Sequence, residues 1–567
     1  MIALSGIALL ASCDMDKFFE LDRPESNPWL SVDDLEYSVA DPYNTLFQNP
    51  NWQAPIGIIP YYQELVADLS TVNPQGAYEQ EALYWYPRQM STFDVTGQQF
   101  EKTFSILYRS VTGATSPLTY IEEKEKKGEP VFANMTENDK KTLARQTGEL
   151  YFMRGYTYWL ISRAFVAPYD PAGGEGNNRK FIPLINRLDY SQESARNPYM
   201  GTVKEVYDQM LSDFAKAKSL MPEDYFVRGR ANKFSAAMML MRVKWLMGDK
   251  DGALEEADYV ITKAEAGVAP FDLTEEPIVA FNRNAEQQYT VDPVSKEVMF
   301  ECAFTESNQG NNVAIPLARM CKTGIYNFKS KTFDASNKLW LEGARGSQNW
   351  QHGGWACAYW NPRLIKYIGW AVTDDPMDLT NYVPSAEALA DKRFTQLHYF
   401  LKNYTDGGDK TIHEMAYNKT KWNAFWNDKY YRAPYGKYSQ VPLIRLAEAY
   451  LTRATLVLSK NVSQALGDVN KIRQRAGLTP LKNVTEADIE KELNELKQNT
   501  VAYVVLNDSI LSFDQPPVIE EGHTLVPMRF LFEQMGANVE WNEETKSARA
   551  TLNNKAVTFS IDDNEAE

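Results

Sequence analysis

The stretch Val441 to Leu478, VPLIRLAEAYLTRATLVLSKNVSQALGDVNKIRQRAGL, decides the fold. Leu443, Ile444, Ala447, Tyr450, Leu451, Ala454 and Leu458 recur at spacings of three and four, which predicts one apolar face of a helix. Ser463 stands where a cap for a second helix is needed. The inner face of that helix carries Ala465, Leu466, Val469, Ile472 and Ala476, and Gly477 lies near its end. The connection is short, so the pair reads as an antiparallel helical hairpin.

The same pattern occurs upstream, between Asn232 and Ala264. Phe234, Ala237, Met238, Met241, Trp245 and Leu246 form one stripe, Gly248-Asp249 interrupts it, and Ala253, Leu254, Ala257, Val260 and Ile261 form the next. A lone hairpin cannot cover its own apolar face, so several must stack, as in a tetratricopeptide-type array. No strict period of about 34 residues is present, which makes the array irregular. Further helices are predicted from Ser31, with Asp34 three residues on, through Phe47, and from Gln98 to Lys126. Glu297 to Glu301 reads as a short strand, and Lys124 to Pro130 and Pro171 to Lys180 as exposed loops.

From Asn308 to about Val441 the helical stripe gives way to Gly, Asn, Asp and aromatic residues. Five of the thirteen tryptophans fall within the 31 positions from Trp340 to Trp370, at Trp340, Trp350, Trp355, Trp360 and Trp370. A long irregular insert on a rigid scaffold is a common way to shape a site. Past Thr500 the texture changes again. Two strands flank Asn507-Asp508, a helix is predicted from Pro527 to Met535, and Val539–Trp541, Ala548–Leu552 and Ala556–Ile561 alternate like hairpin strands. The fold class is therefore mainly α: irregular helical hairpins with a long loop-rich insert, plus a small α/β C-terminal domain.

Composition narrows the function. A chain of 567 residues with net charge −16 lacks the excess of Lys and Arg that a phosphate backbone demands, so nucleic acid is not an expected partner. The leader MIALSGIALLASC is too short to span a bilayer, which takes ~20 residues, and its small residues before Cys13 suit a signal-peptide cleavage region. The remaining cysteines, Cys302, Cys321 and Cys357, are odd in number and lack CxxC spacing, which excludes a disulfide framework and a zinc ribbon.

Catalytic patterns are missing. His413-Glu414 is followed by Tyr417 rather than a second histidine, and the other histidines stand at 352, 398 and 523, so no helical zinc pair forms. No GxSxG elbow is present, and Gly174-Glu175-Gly176 and Gly407-Gly408-Asp409-Lys410 lack the spacing of phosphate loops. Carboxylate pairs such as Asp374-Asp375 are what 75 acidic residues produce by chance. A sugar, by contrast, needs flat aromatic surfaces for its C–H faces and amides or Arg for its hydroxyls. Trp350, Trp355, Tyr359 and Trp360 lie among Asn349, Gln351, Asn361 and Arg363, and Tyr84 and Trp85 stand near Arg88. Trp159 and Trp245, on helical stripes, read as core.

Three features together resemble the SusD/RagB family. They are VPLIRLAEAYLTRA with a second helix closing on IRQRAGL; the series GELYFMRGYTYWLISRAF, IPLI, VKEVYDQMLSDFAKAKSLMP and KFSAAMMLMRVKWLMGD; and a lipobox-like Leu-Ala-Ser-Cys leader. The resemblance covers roughly Cys13 to Asn499. It implies a non-catalytic surface lipoprotein, lipidated at Cys13, that binds oligosaccharides and passes them to a SusC-type TonB-dependent transporter in the outer membrane. No cofactor is expected, and no metal, because the four histidines lack the spacing of a metal site. In that family the ligand lies between an N-terminal loop region and the insert before the final hairpin. By order in the chain the glycan-binding candidates are then Tyr84, Trp85, Arg88, Trp350, Trp355, Tyr359, Trp360 and Asn361. The alternatives are a RagB-like peptide binder and a helical-repeat interaction scaffold.

The tail LVPMRFLFEQMGANVEWNEETKSARATL looks like the copper amine oxidase N-terminal-like domain, a wall- or stalk-type module that does not itself bind copper. Its only histidine is His523, too few for a copper site. The expected division is 1–13 signal peptide, 14–499 SusD/RagB-like binding domain and 500–567 tail domain. The chain departs from the family after IRQRAGL, where an ERRxELAFEGxRWxDLxR-like helix is normal.

Overall fold

Capping side chains fix where the helices of this chain begin. The structure, a computed structural model, describes residues 29–47, 55–66, 70–72, 98–189, 191–281, 295–303, 326–327, 332–333, 341–344, 358–360, 362–373, 382–405, 422–427, 429 and 441–496, with seven strands between 504 and 560. Helix α1 (Val32–Phe47) starts at Ser31, whose Oγ accepts from the Asp34 amide at 3.2 Å. After α2 (Pro55–Val66) and α3 (Gln98–Lys126), helix α4 (Glu137–Phe165) opens on a Thr136–Asp139 capping box. Helix α5 (Val203–Leu220) opens on Thr202 and Glu205, and α6 (Lys233–Leu246) on Asn232. Gly248, at φ +82°, ends α6, and Asp249 caps α7 (Lys250–Glu265).

The second predicted hairpin forms as α8 (Leu446–Val457) and α9 (Val462–Arg475), with two corrections. Asn461, not Ser463, caps α9, its Oδ1 accepting from Gln464 at 3.1 Å. Leu443 and Ile444 belong to a strand instead of the helix. Strand β1 (Val298–Cys302) pairs antiparallel with β2 (Val441–Arg445), Val441 opposite Cys302. The residue before a proline is biased towards extended backbone, and Val441-Pro442 obeys that bias, with a register shift just after Pro442. The insert therefore leaves and re-enters the helical body at one point.

Helices pack in sequence, α3 on α4, α4 on α5, α5 on α6 and α6 on α7, and α7 then packs on α8, so the two hairpins stack across the insert. Close approach of α4 and α5 depends on Gly155, where a Cβ would stand 3.1 Å from the Phe214 ring. Phe300 on β1 is 1% exposed at the centre of this core. Its ring centroid lies 5.0 Å from Phe152 and 5.5 Å from Tyr156, both edge-on. After α9, helix α10 (Glu486–Leu496) buries Ile489 and Leu493 against Val457, Leu458 and Val469.

The insert carries a core of its own. Trp360, Leu364, Ile365, Ile368, Trp370, Tyr382, Phe394 and Phe425 are buried together, separate from the main cluster. Helix Pro362–Tyr367 supplies Leu364 and Ile365, helix Lys392–Leu397 supplies Phe394 and strand Trp422–Asn427 supplies Phe425, while Trp360 ends strand Ala358–Trp360 and Ile368, Trp370 and Tyr382 come from the connections. In the tail, Val504–Leu506 pairs with Ser509–Leu511 across Asn507-Asp508, and Asn538–Asn542, Ser547–Leu552 and Lys555–Ser560 form an antiparallel sheet. A hairpin of Val518–Glu520 with His523–Leu525 is additional to the predicted strands, and the helix expected at 527–535 lies outside the described residues.

Candidate ligand-binding site

Strand Ser70–Val72 follows α2 and pairs antiparallel with Ala358–Trp360 of the insert. Ser70 stands opposite Trp360, Thr71 opposite Tyr359 and Val72 opposite Ala358. Strand Trp422–Asn427 lies against 358–360 from the insert side. Backbone pairing thus brings the N-terminal loop region to the aromatic segment of the insert, which is separated from it by most of the helical body in sequence.

Behind this ladder the insert core is aromatic. Trp360 is 3% exposed, with its ring 6.2 Å from Trp370 and 4.8 Å from the His398 ring. His398 also meets Trp370 at 5.0 Å and stacks on Phe394, and its Nδ1 lies 3.0 Å from the Arg393 carbonyl oxygen. That contact places the Nδ1 proton towards the carbonyl. Asp391 caps helix Lys392–Leu397 and holds Arg393 in an ion pair.

A few polar contacts join this unit to the body. Lys392 pairs with Glu276 at 2.8 Å, Gln396 donates to the same carboxylate at 3.1 Å, and the Lys392 amide donates to the Ala476 carbonyl. Leu397 packs with Ile278, Ala280 and Phe281 beneath. Beside them Glu297, fully buried, receives Arg445 at 3.0 Å, Arg475, and the Thr274 hydroxyl at 3.1 Å. Burial alone would raise its pKa, but the guanidinium groups of Arg475 and Arg445 outweigh burial and hold the carboxyl below its ordinary value. The charge cluster pins the first residue before β1, the last residue of β2 and the end of α9 to one point.

Of the residues singled out in the sequence, Tyr359 and Trp360 lie on the ladder. Trp360 is committed to the core, where its indole Nε1 finds no hydrogen-bond partner among the described residues. Tyr84, Trp85, Arg88, Trp350, Trp355, Asn361 and Cys13 lie outside the described residues. Trp159 and Trp245 are half-buried and packed against the main core, as their helical spacing predicted, and Trp159 has the Arg163 and Arg242 guanidinium groups over its ring at 5.6 and 5.9 Å. His398, Phe394, Tyr382 and Phe425 were not found by sequence reasoning. They come from three separate short segments, around Tyr382, at Phe394 to His398 and around Phe425, with no period that joins them. Among the described residues no three His, Cys, Asp or Glu side chains converge as a metal site.

Comparison with known proteins agrees with this architecture. Residues 50–244 match the family model described as "Starch-binding associating with outer membrane", residues 296–502 match the SusD family, and residues 505–567 match the copper amine oxidase N-terminal domain. "SusD-like protein P2" of Formosa agariphila is 25% identical over 377 residues, covering 64% of this chain and 63% of its own length. The chain thus spans somewhat under two thirds of that relative. Among solved structures, a putative sugar binding protein from Bacteroides vulgatus is similar at TM-score 0.56 and 18% identity, covering 83% of this chain and 85% of that one. A SusD superfamily protein from Bacteroides thetaiotaomicron is similar at TM-score 0.56 and 17% identity, covering 82% and 86%. The chain is thus similar to SusD-type family models over residues 50–244 and 296–502, and it shares its fold with solved SusD superfamily structures.

Proposed function

We propose that this chain captures an oligosaccharide where the N-terminal loop region meets the insert, and delivers it to a SusC-type TonB-dependent transporter without chemical change. The observation that carries the reading is the pairing of Ser70–Val72 with Ala358–Trp360. It joins the segment leading to Tyr84, Trp85 and Arg88 with the segment that follows Trp350 and Trp355. Trp350, Trp355, Tyr359, Tyr84 and Trp85 are proposed to stack on sugar rings, with Arg88 and Asn361 selecting hydroxyl geometry. Trp360 acts from below, as the floor that holds strand 358–360 in place.

The rest of the assignment follows the same family logic. Residues 1–13 serve as a lipoprotein signal, Cys13 carries the lipid that holds the protein at the outer-membrane surface, 14–499 form the binding domain and 500–567 an appended module. No helix among the described residues is long and apolar enough to cross a membrane.

The test is calorimetric titration of the chain lacking residues 1–13 against panels of neutral oligosaccharides and of peptides, with Trp355→Ala and Tyr359→Ala beside it. Binding of one glycan class, weakened at least about tenfold in Trp355→Ala, is the expected result. Peptide binding without glycan binding overturns it in favour of a RagB-like role. A folded protein that binds neither points to an interaction scaffold.

A further inference from the structure

A groove of about 520 Å³ opens between α5, α6 and α7, on elements that take no part in the 70–72 and 358–360 ladder. Its walls are charged. Lys218, Lys233 and Lys244 line it together with Glu223 and Glu256, and Lys263 pairs with Glu223 at 3.0 Å. Four ammonium groups therefore meet two carboxylates, on a chain whose net charge is −16.

The distribution of those charges leaves cationic capacity unspent. Lys218 and Lys244 share one carboxylate, Glu256, at 2.7 and 3.0 Å, and that side chain is only 8% exposed. Lys233, at the first position of α6, acts on Glu223 only through its charge, with no close hydrogen bond or ion pair to it among the described residues. At physiological ionic strength charges more than about 8 Å away are largely screened. An anion entering the groove is thus governed by these lysines and not by the acidic surface as a whole.

The floor narrows the ligand class. Leu211, Ala215 and Leu240 are aliphatic, and the aromatic ring of the lining, Tyr259, has the Lys218 ammonium 4.2 Å from its centroid. A sugar ring needs an open aromatic face to stack on, and this one is taken. An aliphatic chain carrying carboxylates fits both the floor and the walls. We propose that this groove docks an acidic peptide segment of a partner polypeptide, its carboxylates between Lys233 and Lys244 and its aliphatic side chains over Leu211 and Leu240.

The experiment is titration of the full chain with the acetylated hexapeptide ALEELE, with the basic counterpart ALKKLK and with digalacturonate, at low and high salt. ALEELE is expected to bind and to weaken as salt rises, and ALKKLK not to bind. Lys233→Met should weaken ALEELE about tenfold, the scale of one charge-assisted hydrogen bond. Glu256→Gln, which frees Lys218 and Lys244, should strengthen it several-fold, an effect that a purely structural role for Glu256 does not give. Circular dichroism confirms that each variant is folded. No binding by the folded parent chain, or equal binding by parent and both variants, overturns the proposal. Preference for digalacturonate overturns the peptide claim and assigns the groove to acidic sugars. Trp355→Ala tests the glycan reading separately, so failure of either leaves the other standing.

Discussion

Arg154 on α4 and Asp213 on α5 form a two-pronged ion pair sealed between the helices. Nε to Oδ2 is 2.9 Å and Nη2 to Oδ1 is 2.7 Å, with both side chains almost wholly buried. Gln209 donates to the same carboxylate, and Arg154 Nη1 donates to the Asn186 carbonyl at 2.8 Å, so the site is saturated with partners. A buried pair of this kind adds little net stability, because desolvating both charges costs nearly what their attraction returns.

Removing one partner should therefore hurt far more than removing both. Arg154→Met strands the Asp213 charge and is expected to destabilise the fold by about 3 to 5 kcal/mol. The double variant Arg154→Met with Asp213→Leu should recover most of that loss. Urea unfolding of the three proteins decides the matter, and a double variant as unstable as the single one refutes it.

Much of this architecture is legible in the sequence where the signal is local. The α3 stripe from Gln98 to Lys126 and the break at Gly248-Asp249 follow from periodicity and caps that a short window contains. Strand β2 was missed because Leu443 and Ile444 also fit a helical spacing to Ala447, and what overrides that spacing is pairing with Val298–Cys302, far upstream. The candidate site is less legible for the same reason. Nothing in Ser70-Thr71-Val72 announces that it will pair with Ala358–Trp360, and nothing near Trp360 tells a stacking ring from a core ring until Trp370 and His398 close over it.

Stability should fall in acid partly through Glu297. Its folded pKa lies below the ordinary value of 4.5, because Arg475 and Arg445 outweigh the opposing effect of burial. A depressed carboxylate stabilises the fold above its unfolded pKa, and that stabilisation is lost as pH falls through the folded pKa. Glu297→Gln should consequently be destabilised at neutral pH, where two guanidinium groups lose their counter-charge. Its deficit relative to the parent should shrink below about pH 4.3. Thermal melts across that range provide the check; a deficit independent of pH contradicts the assignment.

The insert core should fail locally. Trp370 is 5% exposed and touches Phe394, His398 and Trp360, all within the insert cluster. Trp370→Ala is expected to cost that unit about 3 to 5 kcal/mol while leaving the stacked helices folded. Limited proteolysis should then cut between 358 and 427 with far-ultraviolet circular dichroism nearly unchanged, and glycan binding should drop. Cooperative loss of all helical signal would show instead that insert and body unfold together.

Thr71 and Tyr359 stand directly opposite one another across the antiparallel ladder, where Cα atoms are ~4.5 to 5.5 Å apart. That separation is within the range a disulfide bridges. Thr71→Cys combined with Tyr359→Cys should form a bond on mild oxidation of the folded chain, while Cys302, buried on β1, stays reduced. Peptide mapping must distinguish a bond at 359 from one at Cys357, two residues away. Because the bond fixes the N-terminal loop region to the insert, it also separates a permanent junction from one made on binding. Because Tyr359 is itself a proposed stacking residue, the comparison is with the reduced double variant, and glycan affinity unchanged on oxidation means that the ladder is part of the resting site. If affinity collapses once the bond forms, the two segments must part to admit the ligand. Failure to form the 71–359 bond at all removes the pairing on which the proposed site is built.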